Sequence, residues 1–280
     1  MNHLTFNFSS KDGLSLLSRA WLSNQSDIRG MVHLVHGLGE HSGRYAHIAK
    51  ALNDAGYHLV GFDLRGHGLS EGKRGHSPNL ETLLDDVQSF LDEINKRFGQ
   101  FDAKFLYGHS LGANIVLNFG LRRSAELSGI IATSPSLRLA FAPPKLKLIM
   151  GKVIAAVMPS MLMNNGLEQD ALSRDKAIVK AYTDDVLVHD HISAKLAMDL
   201  FDSGTYALEH ASDWQYPLLL MHGTADRITS AQASQEFAQK AGSPVELVLW
   251  EGYYHETHND LGKQQVIAKM IDWLNQQAKV

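Results

Sequence analysis

The sequence has 280 residues, of which 44% are hydrophobic and 20% are charged, the usual balance for a globular protein with a sizeable core. This length fits one large α/β domain that carries an insertion. The net charge of −4 speaks against nucleic acid as a partner, because phosphate binding needs a dense basic face. The absence of cysteine excludes a disulfide framework, a thiolate nucleophile and a cysteine-based metal site.

The first residues give no indication of export or of a membrane anchor. Residues 1–8 contain neither a basic segment nor a long apolar one, so we expect no signal peptide. The sequence contains no run of about eighteen apolar residues, so we expect no transmembrane helix. A cytoplasmic location is the expectation that follows.

Short apolar runs that end near glycine alternate with segments of helical periodicity. The predicted strands are residues 31–35, 58–62, 105–107, 130–133, 218–221 and 246–249. The predicted helices are residues 44–55, residues 80–98 with Pro78 before and Gly99 after them, and a last helix that aligns Ile267, Met270, Ile271 and Leu274. Such alternation implies parallel strands joined by right-handed crossovers, and therefore an α/β fold with a mostly parallel, doubly wound sheet.

The segment between the strands at 130 and 218 interrupts this rhythm. It has no predicted strand, only helix-like stretches broken by Pro143-Pro144, Pro159 and Asn164-Asn165-Gly166. We predict that residues 136–212 form an inserted helical lid, or cap, and that residues 1–135 and 213–280 form the core. The cap would cross the mouth of the sheet, where ligands of such folds bind.

The stretch "GHSLG" at 108–112 places Ser110 between two glycines where a predicted strand becomes a helix. A serine at this sharp turn points its hydroxyl up from the sheet, and glycines two residues away avoid a clash with neighbouring elements. The helix N-terminus behind Ser110 adds N–H groups and a positive partial charge. These features predict a nucleophile elbow.

A serine nucleophile needs a base and a group that orients the base. Asp226 follows the predicted strand 218–221, and His255 follows the strand 246–249, which is the order expected for this fold. Taken singly, Asp226 could cap the helix that begins near Ser230, and His255 could be a surface histidine. Together with Ser110 at a third strand end, they predict a Ser-His-Asp triad.

The turn His36-Gly37-Leu38-Gly39 follows the strand 31–35 and lets the backbone approach a substrate. We predict that the backbone N–H groups of Leu38 and Leu111 form the oxyanion hole.

Histidine pairs also raise the question of a metal site. The pairs His255/His258 and His189/His191 lack the spacing of four residues on a helix that a zinc-protease motif requires. We therefore expect no metal and no cofactor.

At this point the chain resembles the monoacylglycerol lipase and lysophospholipase group of the α/β-hydrolases. The resemblance rests on "HGLGEHSGRY" at 36–45, "DLRGHGLSEGKRGH" at 63–76, "GHSLG" at 108–112 and "HGTADRI" at 222–228. It implies an α/β-hydrolase fold in which Glu40, Arg44 and His258 line the glycerol end of the site. The alternative for Glu40 and Arg44 is an ion pair at i,i+4 that opens a helix.

These observations predict a serine ester hydrolase that cleaves lipid monoesters, with monoacylglycerol as the first expectation. A lysophospholipase, a short-chain carboxylesterase and a thioesterase remain alternatives within enzymes. A non-catalytic binding protein of the same fold is the alternative from another class, although such proteins usually lack a triad member.

One cap segment, residues 145–162, predicts an amphipathic helix with lysines near its start, Lys145, Lys147 and Lys152. Its apolar face consists of Leu146, Ile149, Met150, Val153, Ile154, Val157 and Met158. This face either packs onto the core or stays partly exposed near the site and contacts lipid, which makes peripheral membrane contact a prediction.

Overall fold

The computed structural model describes residues 2–278, apart from the side chains of Lys145 and Lys147. The strands are β1 (Asn2–Ser9), β2 (Ser15–Leu22), β3 (Gly30–Val35), β4 (Tyr57–Phe62), β5 (Lys104–His109), β6 (Gly129–Thr133), β7 (Leu162–Asn164), β8 (His191–Ser193), β9 (Leu218–Gly223) and β10 (Val245–Trp250). The helices are α1 (Ala46–Asp54), α2 (Leu80–Phe98), α3 (Leu111–Arg122), α4 (Lys145–Val157), α5 (Lys176–Asp184), α6 (Ala194–Glu209), α7 (Ala231–Ala241) and α8 (Lys263–Gln277).

The main sheet has the strand order β1-β2-β4-β3-β5-β6-β9-β10. Neighbours from β4 to β10 run parallel, whereas β2 pairs antiparallel with β4 and β1 pairs antiparallel with β2. Helices cover both faces: α1 and α8 pack in one buried apolar cluster, and α2, α3 and α7 pack in the other. The predicted doubly wound, mostly parallel sheet is therefore confirmed.

The predicted helices form where their end signals lie. In α2 the Asn79 side chain accepts a hydrogen bond from the Thr82 N–H at 2.8 Å, and Gly99 ends the helix with φ of +80°. The predicted helix 44–55 begins as a 3₁₀ turn, Ser42–Tyr45, and continues as α1.

Strands β1 and β2 were not expected, because the sequence predicts no strand before residue 31. They form an antiparallel hairpin at the edge of the sheet. Most residues of β1 are exposed, so its sequence carries no buried apolar run.

The cap leaves the sheet after β6 and returns at β9, as the sequence predicts, but it is not wholly helical. Strands β7 and β8 pair antiparallel, with Met163 opposite Ile192. Three-residue strands are too short to show an alternating pattern, which explains why the expectation of an all-helical cap was wrong. The boundaries at residues 136 and 212 stay a prediction.

Helix α6 belongs structurally to the layer beside the sheet. Its Ser203 hydroxyl donates to Asn114 Oδ1 of α3 at 2.8 Å. Gly204 lies so close to Leu137 that a Cβ there would collide with the Leu137 carbonyl. Helix α6 thus fills the place of a crossover helix between β6 and β9.

Helix α4 exposes most of its predicted apolar face. The exposed residues, together called the α4 face below, are Leu146, Ile149, Met150, Val153 and Val157. Met158 beyond the helix is also exposed, whereas Ile154 is half-buried. The interpretation that this face packs onto the core is therefore wrong. Lys152 is exposed, and the side chains of Lys145 and Lys147 lie outside the described residues. Across residues 2–278, no helix combines the length and the apolar character that crossing a membrane requires.

Candidate active site

Ser110 lies at the turn between β5 and α3 with φ of 54° and ψ of −112°, a conformation that non-glycine residues rarely adopt. The flanking glycines are required by close approach. A Cβ at Gly112 would collide with the Val35 carbonyl, and one at Gly108 would collide with the Gly112 carbonyl. The turn thus holds the Ser110 hydroxyl above the carboxyl ends of the central strands.

The structure brings the three predicted triad residues together. Ser110 Oγ lies 2.9 Å from His255 Nε2, and His255 Nδ1 lies 2.7 Å from Asp226 Oδ2. The Asp226 side chain is fully buried, and His255 is 2% exposed. Ser230, not Asp226, accepts the capping hydrogen bond of α7, from the Ala233 N–H. The geometry allows proton transfer from Ser110 to His255.

Burial and charge act in opposite directions on these groups. For Asp226, burial raises the pKa, but the adjacent His255 and the hydrogen bond with His222 outweigh burial. The net pKa of the carboxyl is therefore far below its usual range, and the group is ionised. For His255, burial lowers the pKa, but the Asp226 carboxylate outweighs burial and the net pKa is raised above 6.5. Asp226 therefore favours the imidazolium that forms when His255 accepts a proton.

Above Ser110 lies a cavity of about 250 Å³ between core and cap. Its apolar wall includes Leu137, Leu139, Met163, Leu167, Leu172, Ile192, Ala197, Leu200, Phe201 and Ile228. Leu38 and Leu111 line it next to Ser110. The first N–H groups of a helix such as α3 have no acceptor within the helix, so the Leu111 N–H is available to an oxyanion. The donor roles of Leu38 and Leu111 stay a prediction.

Glu40 lines the cavity and takes part in a buried ion-pair network. Glu40 accepts hydrogen bonds from the Gly37 N–H at 2.7 Å and from the Tyr45 hydroxyl at 2.7 Å. Arg44 forms an ion pair with Glu40 at 2.5 Å and donates two hydrogen bonds, of 2.7 and 2.9 Å, to the Glu256 carboxylate. The expected i,i+4 ion pair is therefore present.

Arg44 and His258 are not part of the cavity wall that the described residues form. His258 is 1% exposed, and its ring stacks on Tyr45 with 5.2 Å between centroids. Neither ring nitrogen of His258 has a hydrogen-bond partner among the described residues. This buried ring lies beneath the site, so the structure does not support the expected contact between His258 and a ligand.

Several polar residues of the site were not identified from the sequence. Glu256, next to His255, and Tyr182 of the cap both line the cavity. The Ser134 hydroxyl donates to the His255 carbonyl at 2.6 Å, and the Thr229 hydroxyl donates to Asp226 Oδ2 at 2.9 Å. The only available signal was proximity to the motifs, since Thr229 directly follows "HGTADRI".

Within residues 2–278, no group of three or more His, Asp or Glu side chains has the arrangement needed to hold a metal ion.

Comparison with known proteins gives consistent matches over nearly the whole chain. A family model described as serine aminopeptidase, S33 (Hydrolase_4) matches residues 26–262. The monoacylglycerol lipase of Mycolicibacterium smegmatis is 30% identical over 269 residues, which cover 95% of each chain. An uncharacterized abhydrolase domain-containing protein of Dictyostelium discoideum is 36% identical over 96% of this chain, which spans 28% of that relative's length. The crystal structure of Paleococcus ferrophilus monoacylglycerol lipase matches with a TM-score of 0.84 and 33% identity, covering 99% of this chain and 100% of the other.

Proposed function

Because the chain belongs to the Hydrolase_4 family (serine aminopeptidase, S33) of α/β-hydrolases, we propose that it hydrolyses monoacylglycerol through Ser110, His255 and Asp226. The broader class is not in question: the chain is a carboxylic ester hydrolase similar to monoacylglycerol lipases. The proposal concerns the substrate and the residues that carry the reaction.

In the proposed mechanism Ser110 Oγ attacks the ester carbonyl while His255 Nε2 accepts the hydroxyl proton. The Leu38 and Leu111 N–H groups stabilise the oxyanion of the tetrahedral intermediate. His255 then donates the proton to the leaving alcohol, and an acyl-enzyme remains on Ser110. A water molecule, activated by His255, attacks the acyl group and releases the fatty acid. Asp226 keeps the His255 proton on Nδ1 and stabilises the imidazolium throughout.

The observation that carries this proposal is the unbroken Ser110–His255–Asp226 hydrogen-bond chain at the floor of an apolar cavity. The apolar wall suits an acyl chain, because burial of each methylene contributes about 0.8 kcal/mol. A short, water-soluble ester would leave most of this wall without contact. The cavity therefore favours a lipid ester over a small one.

Polar groups in the cavity wall favour glycerol as the leaving alcohol. Glu40, Glu256 and Tyr182 lie on this wall, and Arg44 is the cation bound to the two carboxylates. Two carboxylates against one guanidinium leave a net negative charge. Glycerol hydroxyls can donate hydrogen bonds to carboxylates, whereas the phosphate of a lysophospholipid would be repelled by them.

A panel of purified substrates tests the proposal. Monoacylglycerols and lysophosphatidylcholines with the same acyl chain are compared by kcat/KM, together with p-nitrophenyl butyrate and an aminoacyl p-nitroanilide. We expect the monoacylglycerol to be the best substrate, and Ser110→Ala, purified in parallel, to abolish turnover. Faster hydrolysis of lysophosphatidylcholine would assign the lysophospholipase alternative. Preference for the anilide would assign the peptidase activity that the family description names.

The α4 face supports a second part of the proposal, peripheral contact with lipid. Five apolar side chains on one helix face remain exposed on the cap, with Lys152 exposed on the same helix. A substrate that resides in membranes or micelles gives such a surface a function. The cytoplasmic location stays a prediction.

A further inference from the structure

His222 extends the hydrogen-bond chain beyond Asp226. It is the penultimate residue of β9 and is fully buried. Its Nε2 lies 3.1 Å from Asp226 Oδ2, the same oxygen that accepts from His255 at 2.7 Å. Its Nδ1 lies 2.7 Å from the hydroxyl of Ser234, a fully buried residue of α7. Ser110, His255, Asp226, His222 and Ser234 thus form one continuous buried chain.

The chemistry of these partners fixes the direction of each hydrogen bond. An ionised carboxylate only accepts, so the Nε2 of His222 that faces Asp226 carries a proton. In a neutral imidazole the other nitrogen is then an acceptor, and the Ser234 hydroxyl donates to it. Asp226 therefore selects the tautomer in which His222 donates from Nε2, and the Ser234 hydroxyl, which can donate, is compatible with it.

On this basis, which rests on the proposed function, we propose that His222 is a positioning residue whose Nε2–H orients the Asp226 carboxylate and withdraws part of its charge from His255. Asp226 Oδ2 has two further donors, His255 Nδ1 and the Thr229 hydroxyl, and Oδ1 accepts from the Ile228 and Thr229 N–H groups at 2.7 and 3.1 Å. Both carboxylate oxygens accept hydrogen bonds, and His222 is one of two donors, with the Thr229 hydroxyl, that share Oδ2 with His255.

Loss of this donor has a predicted direction. With fewer hydrogen bonds, the charge on Asp226 Oδ2 is less delocalised and attracts the His255 imidazolium more strongly. The pKa of His255 then rises, and the acid limb of activity moves to higher pH. The other titratable groups that act on His255 are Glu40, Glu256, His109 and His258. A substitution at position 222 leaves these groups unchanged, so their effect on the pKa of His255 is the same in wild type and variant.

Two amide substitutions separate the donor from the bulk of the ring. The Gln amide nitrogen falls near the position of the imidazole Nε2, so His222→Gln keeps a donor for Asp226. The Asn amide nitrogen falls near Nδ1, so His222→Asn keeps a polar group beside Ser234 but removes the donor from Asp226. The profile of kcat/KM against pH is measured for wild type and both variants on one ester, with active sites counted by a fluorophosphonate.

We expect the acid limb of His222→Asn to move up by about half a pH unit, and that of His222→Gln to stay with the wild type. A merely structural role would lower the thermal midpoint or the active fraction of either variant and leave the acid limb in place. The inference is overturned if both variants keep the wild-type limb, if both shift alike, or if the limb moves to lower pH. A wild type without esterase activity would instead refute the proposed function.

Discussion

The α4 face gives a prediction whose magnitude follows from exposure. Ile149 is 60% exposed and Val153 is 58% exposed, so more than half of each side chain is free to enter a lipid surface. Full burial of such a side chain contributes about 1.5–3 kcal/mol, so these two together contribute about 2 kcal/mol to lipid binding. The double variant Ile149→Asp/Val153→Asp should therefore bind vesicles at least about 30-fold more weakly.

The assay is sedimentation with phosphatidylcholine vesicles, with Ser110→Ala added to each protein so that no lipid is hydrolysed. Zwitterionic vesicles leave out the attraction between Lys152 and anionic lipid, which would add about 1 kcal/mol. In the active protein, the double variant should slow hydrolysis of vesicle-bound long-chain monoacylglycerol and leave p-nitrophenyl butyrate turnover close to wild type. Its thermal midpoint should change by no more than about 1–2 °C, because exposed positions contribute little to stability.

Ile154→Asp is the matched control on the same helix. Ile154 is half-buried, so a carboxylate there should lower the thermal midpoint by several degrees. The reasoning is refuted if the double variant binds vesicles like the wild type. It is equally refuted if the double variant loses stability and both activities together, as Ile154→Asp should.

Three further predictions concern the chemistry. Ser110→Ala or His255→Ala should lower kcat by about 10⁶-fold, and the double variant should lower it little further. Asp226→Asn should lower kcat by about 10⁴-fold. If purified Ser110→Ala kept a tenth of the wild-type turnover, this serine would not be the nucleophile. Since protonated His255 cannot accept a proton and its pKa is raised, kcat/KM should fall as pH drops through a value above 6.5, and an acid limb well below that value would contradict the assignment. Leu38→Pro removes an N–H and should lower kcat by about 10²–10³-fold, whereas Leu38→Ala should be mild; equal losses with unchanged circular dichroism would exclude Leu38 as an oxyanion donor.

The parts of the fold that could be predicted from the sequence are those with buried apolar runs. Strands β3, β4, β5, β6 and β9 are almost fully buried, and each was expected within a few residues of its observed ends. Strand β1 is exposed at the sheet edge, and β7 and β8 span only three residues each, so none of these strands gives a pattern. Strand β2 is largely buried, but its buried run includes Ser18 and Arg19 and is therefore not apolar. For α4, periodicity indicated an apolar stripe but could not indicate whether protein covers it.

The residues of the candidate site could likewise be predicted only in part. Ser110, Asp226 and His255 could be placed together because parallel strands bring their carboxyl ends to one edge. The partners Glu256 and His222 depend on side-chain directions that spacing does not specify. His258 follows His255 by three residues, but the 3₁₀ turn Thr257–Asn259 directs its ring beneath the site. Membership of the monoacylglycerol lipase-like α/β-hydrolases, expected from four motifs, is confirmed by the comparisons.

The position of α6 has a consequence for engineering and for evolution. Because α6 packs on α3 through Ser203, it must stay with the sheet when the cap is exchanged. The exchangeable module is then residues 140–193, which contain none of the three triad positions. Caps from related proteins could be grafted onto this scaffold at those two junctions. Each graft would have to keep the carbonyls of Ala171 and Leu172, which accept from the His255 and Glu256 N–H groups. Acyl-chain selection could then be varied in a library with Ser110, His255 and Asp226 unchanged.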